Sequence, residues 1–169
     1  MDALAAAIEP LIPGLRRYAL AWTRDAAAAD DLVQDCLERA VAGWWRRRGD
    51  NVRPWLYAIL HNLLVDHGRR QKRRGGMVPI EDVDEAMIGV APAQEAGLHH
   101  GDVLRALDAL PVEQRAVLLL VSVEDLSYAE AAAVLAIPIG TVMSRISRGR
   151  GRLSAMLAAG DQPQVRSAK

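Results

Sequence analysis

Residues 127–153 read SYAEAAAVLAIPIGTVMSRISRGRGRL, and the fold turns on this stretch. Ser127 and Glu130 have the spacing of a capping box: the Ser127 hydroxyl accepts from the Glu130 N–H while the Glu130 side chain reaches back to the Ser127 N–H. The helix so started is short, with Ala131, Ala132, Val134 and Leu135 expected inward. It stops at Ala136-Ile137-Pro138, because Pro138 disfavours a helical conformation at Ile137. A second helix then runs from about Ile139 to Leu157. Val142, Ile146, Leu153 and Leu157 line one side; Thr141, Ser144, Arg145, Arg148 and Arg152 line the other. Short helix, tight turn and longer helix make a helix-turn-helix, whose second helix enters the major groove of DNA. Arginine suits a bidentate contact with guanine, and serine or threonine serves base or phosphate. A solvated Arg-rich face would give the same row of residues. The capped short helix and the proline turn in front of it favour DNA.

Upstream, Val103, Leu104, Leu107 and Leu110 form a helical stripe beginning near Asp102. Pro111 opens a second helix carrying the apolar run Ala116–Val121. A buried strand would look alike there, and the helix-forming flanks decide for helix. Residues 75–98 contain Gly75-Gly76, two prolines and four acids within Glu81–Glu85, with no sustained period, and read as a linker. Residues from about 8 to 74 read as helical. Ala29, Leu32, Val33, Cys36, Leu37, Ala40, Val41 and Trp44 make one apolar stripe. After a break at Arg48-Gly49-Asp50-Asn51, Pro54 suits the first position of the next helix. That helix buries Leu56, Ile59, Leu60, Leu63 and Leu64 and runs into the basic cluster Arg69–Arg74. The expected architecture is all-α: two small helical domains, 8–74 and 102–158, joined by a flexible linker, 75–101.

Composition agrees. Ala and Leu dominate the 169 residues, aromatic residues are 4%, and Phe is absent, which favours helices over strands. Net charge is zero, from 21 basic and 21 acidic residues, so the case for nucleic acid rests on segregation of charge. Arg46–Arg48, Arg69–Arg74 and Arg145–Arg152 are basic; Glu81–Glu85 and the region Asp30–Asp35 are acidic. The single cysteine, Cys36, allows no internal disulfide and sits on the apolar stripe. No apolar run is long enough for a membrane span and no signal peptide is evident, so a cytoplasmic protein is expected. No phosphate loop, nucleophile triad or metal cluster stands out. His61, His67, His99 and His100 lack partners in a metal-ligand pattern. No cofactor, no metal and no catalysis are expected.

The C-terminal block closely resembles region 4 of the extracytoplasmic-function (ECF) sigma factors, a branch of the sigma-70 family. The resemblance lies in Ala106-Leu107-Asp108-Ala109-Leu110-Pro111, Gln114-Arg115, Leu126-Ser127-Tyr128 and Ile137 through Arg145. It implies that the second helix reads the −35 promoter box, with contacts mapping onto Thr141, Met143, Ser144, Arg145, Ser147 and Arg148. The family usually has Lys or Arg where this chain has Met143. Asp30-Asp31-Leu32-Val33-Gln34-Asp35 resembles the region 2 motif, and the resemblance makes Asp30, Asp31, Gln34, Asp35 and Glu38 a docking face for core RNA polymerase. From the residues alone, that polar stripe could equally be solvated. Pro54-Trp55-Leu56-Tyr57, Asn62 and the basic run resemble the −10 reader, implying roles for Arg53, Trp55, Asn62, Arg69 and Arg70. The stretch Arg47–Arg53 matches the loop that captures an extruded base. Trp55 and Tyr57 near a helix start are equally core candidates, and one of Trp44 and Trp45 is expected inward.

The resemblance implies an initiation factor with core polymerase, promoter DNA and an anti-sigma factor as partners. Two rivals remain. One is a helix-turn-helix regulator that is not a sigma subunit, which should carry a sensor pocket or phosphoacceptor pattern. The other is a sigma mimic that binds an anti-sigma factor without touching DNA, which should lack the basic residues of the reading helices.

Overall fold

A computed structural model describes residues 2–47, 49–75 and 100–160, and every regular element among them is helical. In chain order these are α1 (Asp2–Ile8), a 3₁₀ turn (Glu9–Leu11), α2 (Ile12–Thr23), α3 (Ala26–Gly43), a 3₁₀ turn (Trp44–Arg46) and α4 (Val52–Arg73). Then follow α5 (His100–Asp108), α6 (Val112–Leu118), a π-helical turn (Leu119–Val123), α7 (Tyr128–Leu135) and α8 (Ile139–Gly160). The expected linker and the acids Glu81–Glu85 fall largely outside the described residues.

Local chemistry sets the corners. Arg24 closes α2 in the left-handed conformation at φ 56°, its N–H donating to the Leu20 carbonyl at 3.0 Å. The neighbouring Asp25 caps α3 by accepting from the Ala28 N–H at 3.0 Å. The stripe of α3 is buried at Ala29, Leu32, Val33, Cys36 and Ala40. The Cys36 thiol donates to the Leu56 carbonyl at 3.5 Å, and burial pushes its pKa up to about 12, which makes it an inert core group. Helix α4 starts two residues before the expected Pro54. Asn51 is its cap, the side chain accepting from the Arg53 N–H at 3.3 Å. Pro54 still falls in the first turn, where an N–H has no intrahelical acceptor, so the earlier start costs no hydrogen bond.

The helix-turn-helix forms as its residues dictate. Ser127 Oγ accepts from the Glu130 N–H at 3.2 Å, and the Glu130 carboxylate accepts from the Ser127 N–H at 2.9 Å. These bonds hold the Glu130 carboxyl below its usual pKa. Ala136 takes the left-handed turn at φ 52°, and α7 and α8 then meet at 101°. The run Ala116–Val121 is helical but not uniform. After Leu118 the helix widens to a π turn, with the Glu124 N–H reaching the Leu119 carbonyl at 3.0 Å. A wholly apolar run satisfies any helical pitch, so its pattern gives no sign of the change.

One buried cluster runs from Ile8 to Ile146 through both blocks. In α2, residues 18–23 are all buried, and Tyr18, Trp22, Tyr57 and His61 pack as a ring cluster with centroid separations of 5.4–6.0 Å. The C-terminal helices seat α7 against α4 and the π turn against α2.

Candidate nucleic-acid interface

Helix α8 is anchored by its inner face and presents its outer one. Val142 and Ile146 are buried, and Leu153 and Met156 pack at the edge of the core. Gly149 lies where α8 crosses α6: a Cβ there would stand 3.0 Å from Leu118 Cδ1, so a larger residue requires the Leu118 side chain to give way by a few tenths of an ångström. Outside, Met143 is 53% exposed, and Ser147, Arg148, Arg150 and Arg152 are exposed. Thr141, Ser144 and Arg145 are half-buried. Arg148 leans back along its helix, donating to the Ser144 carbonyl at 3.3 Å and to Ser144 Oγ at 3.2 Å. Ser144 Oγ in turn donates to the Thr141 carbonyl at 3.0 Å.

A second concave surface lies where the end of α3 meets α4. A cavity of ≈ 330 Å³ is lined by Arg39, Gly43, Arg46, Arg47, Trp55, Ile59 and Asn62. Trp44 turns inward and packs edge-on against Trp55 at 6.3 Å between ring centroids, whereas Trp45 points out and is 89% exposed. The Arg47 guanidinium sits 4.2 Å above the Trp44 ring and donates to the Gly49 carbonyl at 2.9 Å, which shapes the loop. Three arginines, an indole and a carboxamide around one cavity match what an unstacked base and its phosphates need.

The other expected −10 residues do not gather there. Arg53 turns away and donates to the Glu124 carbonyl. Arg69 is exposed and lies 3.8 Å from Asp66. Arg70 joins Asp31, Asp35, Arg39, Asp66 and His67 around a neighbouring concavity. Tyr57 is core, not platform, being 1% exposed. On α3, Asp30, Asp31, Gln34, Asp35 and Glu38 are all exposed. Asp30 is engaged in a two-pronged pair with Arg16 at 2.8 and 2.9 Å, and Gln34 donates to Glu38 at 3.1 Å. The acidic face is therefore preformed at Asp31 and Asp35 and partly neutralised at Asp30.

Comparison with known proteins bears on what these surfaces belong to. Residues 100–153 match the model of sigma-70 region 4, and residues 8–61 match that of the sigma2 domain of PhyR. The chain is 38% identical over 160 residues to the ECF RNA polymerase sigma factor EcfG of Rhodopseudomonas palustris, covering 92% of this chain and 86% of that one. This chain is a member of the ECF RNA polymerase sigma factors. It is also 38% identical over 144 residues to SigM of Mycobacterium tuberculosis, covering 85% of this chain and 71% of that one. Among solved structures it resembles the sigma factor RpoE in complex with the anti-sigma factor NepR from Bartonella quintana. That match has a TM-score of 0.76 and 32% identity, over 96% of this chain and 100% of that one. It also resembles CnrH in complex with the cytosolic domain of CnrY, with a TM-score of 0.69 and 26% identity, over 95% of this chain and 90% of that one.

The structure of this sigma factor also assigns a residue that sequence reasoning passed over. Glu124 is 1% exposed. Its carboxylate accepts from Arg17 Nε and Arg17 Nη2, both at 2.8 Å, and from the Tyr57 hydroxyl at 2.7 Å. The Arg17 guanidinium is held above its usual pKa chiefly by that hydrogen bonding, and burial beside Glu124 raises the Tyr57 hydroxyl. Gly14 lies against the pair: a Cβ there would fall 2.5 Å from Tyr57 Oη and 2.8 Å from Glu124 Oε2. The same seam holds Arg24 beside Asp108 at 3.3 Å, Arg115 stacked 4.5 Å from the Trp22 ring, and Asn51 donating to Glu130 at 3.1 Å. An acid after an apolar run, here with Asp125 beside it, carries no sequence pattern that marks it for burial. Among the described residues no three His, Cys, Asp or Glu side chains group as a metal site, and no single helix is long and apolar enough to cross a membrane.

Proposed function

We propose that this chain docks on core RNA polymerase and directs it to promoters, using residues 8–74 and 102–158 as separate readers tied by 75–101. The observation that carries this reading is a pairing. One chain holds a capped helix-turn-helix with a cationic outer face and, on α3 and α4, a cavity lined by Trp55, Asn62 and three arginines. A duplex reader and a base-sized, cation-lined cavity are what recognition of a −35 box and melting of a −10 element require. In this reading Thr141, Met143, Ser144, Arg145, Ser147 and Arg148 face the −35 box. Trp55 and Asn62 receive the −10 strand, with Arg53, Arg69 and Arg70 tracking phosphates. Asp30, Asp31, Gln34, Asp35 and Glu38 meet a basic face of the polymerase. Strand opening needs no chemistry from this chain, because binding of the unpaired strand offsets unpairing. The work is cytoplasmic, and an anti-sigma factor of the kind bound in the RpoE structure is the expected restraint.

The match of residues 8–61 to the sigma2 domain of PhyR, a protein described in a solved structure as an anti-anti-sigma factor complexed with the anti-sigma factor NepR, supports a second reading, a chain that occupies an anti-sigma factor in a sigma factor's place. The exposed Arg148, Arg150 and Arg152 and the arginine-lined cavity favour the first. In vitro transcription with purified core polymerase separates them. Initiation at promoters from the chain's own genome is expected. A chain that supports none, while still capturing an anti-sigma factor, is a mimic.

A further inference from the structure

We propose that Met143, with Ile139 beside it, reads thymine through its 5-methyl group, so that this sigma factor selects part of its −35 box by apolar contact; the statement rests on the promoter-reading function above. Ile139 is the first residue of α8 and is 48% exposed, and Met143 is 53% exposed. Four residues apart, they share one face of the helix, with Cβ atoms about 5–6 Å from each other. Burial of Val142 and Ile146 fixes the inner face and leaves neither residue a part in anchoring α8. Ser147, four residues further along the same face, is exposed and short, and leaves Met143 open to the groove. Two large apolar side chains therefore stand in water at the end of the helix that a helix-turn-helix turns toward base edges.

Charge decides what covers the pair. Helix α8 carries Arg145, Arg148, Arg150 and Arg152 and no acid. An apolar patch set among cations, with no anion near it on the helix, fits a polyanion. On a duplex the phosphates are charged and the major-groove edges are lined by hydrogen-bonding groups; the methyl of thymine is the apolar group presented there. Contact between that methyl and the thioether side chain removes water from both. Methionine is unbranched, flexible and uncharged, so it settles against a methyl and leaves the phosphates to the neighbouring arginines. The spacing of Ile139 and Met143 exceeds one base-pair step of about 3.4 Å and falls short of two. The two side chains therefore address neighbouring base pairs. Thymine carries its methyl on whichever strand it lies, so the pair under Met143 is A·T or T·A.

The test uses holoenzyme assembled from the full chain and core polymerase, on a promoter from the chain's own genome at which the wild type initiates. The duplex is remade with uracil in place of each −35 thymine in turn, on either strand, which removes the methyl and nothing else. One such change should weaken wild-type binding about three- to fivefold, the worth of one buried methyl. In Met143→Ala the same change should have almost no effect, while the response to uracil elsewhere in the box stays as in the wild type. Because Met143 is half exposed, the substitution leaves the fold intact. Met143→Lys should also lose the methyl response, and should bind every duplex more tightly at low salt, with a salt slope steeper by about one. Uracil-insensitive binding by the wild type, or a methyl response retained in either variant, overturns the contact and gives the apolar pair to a protein partner. A wild type that initiates at no promoter is a different failure: it removes the promoter-reading function, and the methyl contact with it.

Discussion

Replacing Gly14 by alanine sets two local rules against each other. Gly14 stands in the first turn of α2, where alanine is the better helix former by at most ~1 kcal/mol. The added Cβ, however, would lie 2.5 Å from Tyr57 Oη and 2.8 Å from Glu124 Oε2. Ordinary contact begins at 3.4 Å, so the hydroxyl must retreat by roughly 0.9 Å and the carboxylate by roughly 0.6 Å. Neither is the free end of a mobile chain: Tyr57 is packed in the ring cluster and Glu124 is gripped by Arg17. Overpacking of a fixed core costs about 1–3 kcal/mol, and a weakened bond to a charged group costs about 1.5–3 kcal/mol. Set against the helix gain, Gly14→Ala should lose about 2–4 kcal/mol. In a chain of this size that lowers Tm by roughly 5–15 °C. Urea unfolding followed by circular dichroism measures it directly. A Gly14→Ala protein as stable as the wild type, or up to ~1 kcal/mol more stable, would mean that the contact among α2, Tyr57 and Glu124 is not populated in solution.

Other expectations follow from the same geometry. Arg148→Ala should weaken binding to a −35 duplex by about 1–3 kcal/mol if the guanidinium leaves Ser144 for a base; gel-shift titrations on cognate and scrambled sites decide, and equal loss on both makes it a phosphate contact. Asn62→Ala should impair promoter opening while leaving polymerase binding intact, and permanganate reactivity at the −10 region that matches the wild type contradicts its place in the cavity. His61 shares a 3.0 Å hydrogen bond with the buried Tyr18 hydroxyl, and burial lowers its pKa from 6.5 to about 4. The unfolded chain therefore binds this proton first, and stability falls as pH drops from about 6.5 to 4, by up to about 3 kcal/mol. His61→Gln should flatten that part of the acid limb in chemical unfolding, and an unaltered slope between those pH values would show that the ring is not buried neutral.

The sequence by itself determined the local elements. Ser127, Glu130 and Pro138 specify the helix-turn-helix through hydrogen bonds and torsional limits within a few residues, and the structure forms it there. Apolar periodicity likewise placed the inner face of α8 and most of the buried stripe of α3, because one helix carries its whole pattern in consecutive residues, but Val41, also expected on that stripe, is 50% exposed at the helix end. Asn51 shows the limit of such rules: Pro54 marked a helix start correctly, and a side-chain cap three residues earlier moved it. Trp55 and Asn62 were singled out by the family resemblance, but their cavity needs Arg39, Arg46 and Arg47 from another helix and a turn. Arg53 and Arg70 had the right residue type, and only the packing of α4 against its neighbours turned one to Glu124 and the other toward Asp31 and Asp35. Glu124 was invisible in the sequence because its partners lie 107 and 67 residues away. Nothing local marks a carboxylate for burial; only the tertiary structure brings Arg17 and Tyr57 to it and makes the charge tolerable inside.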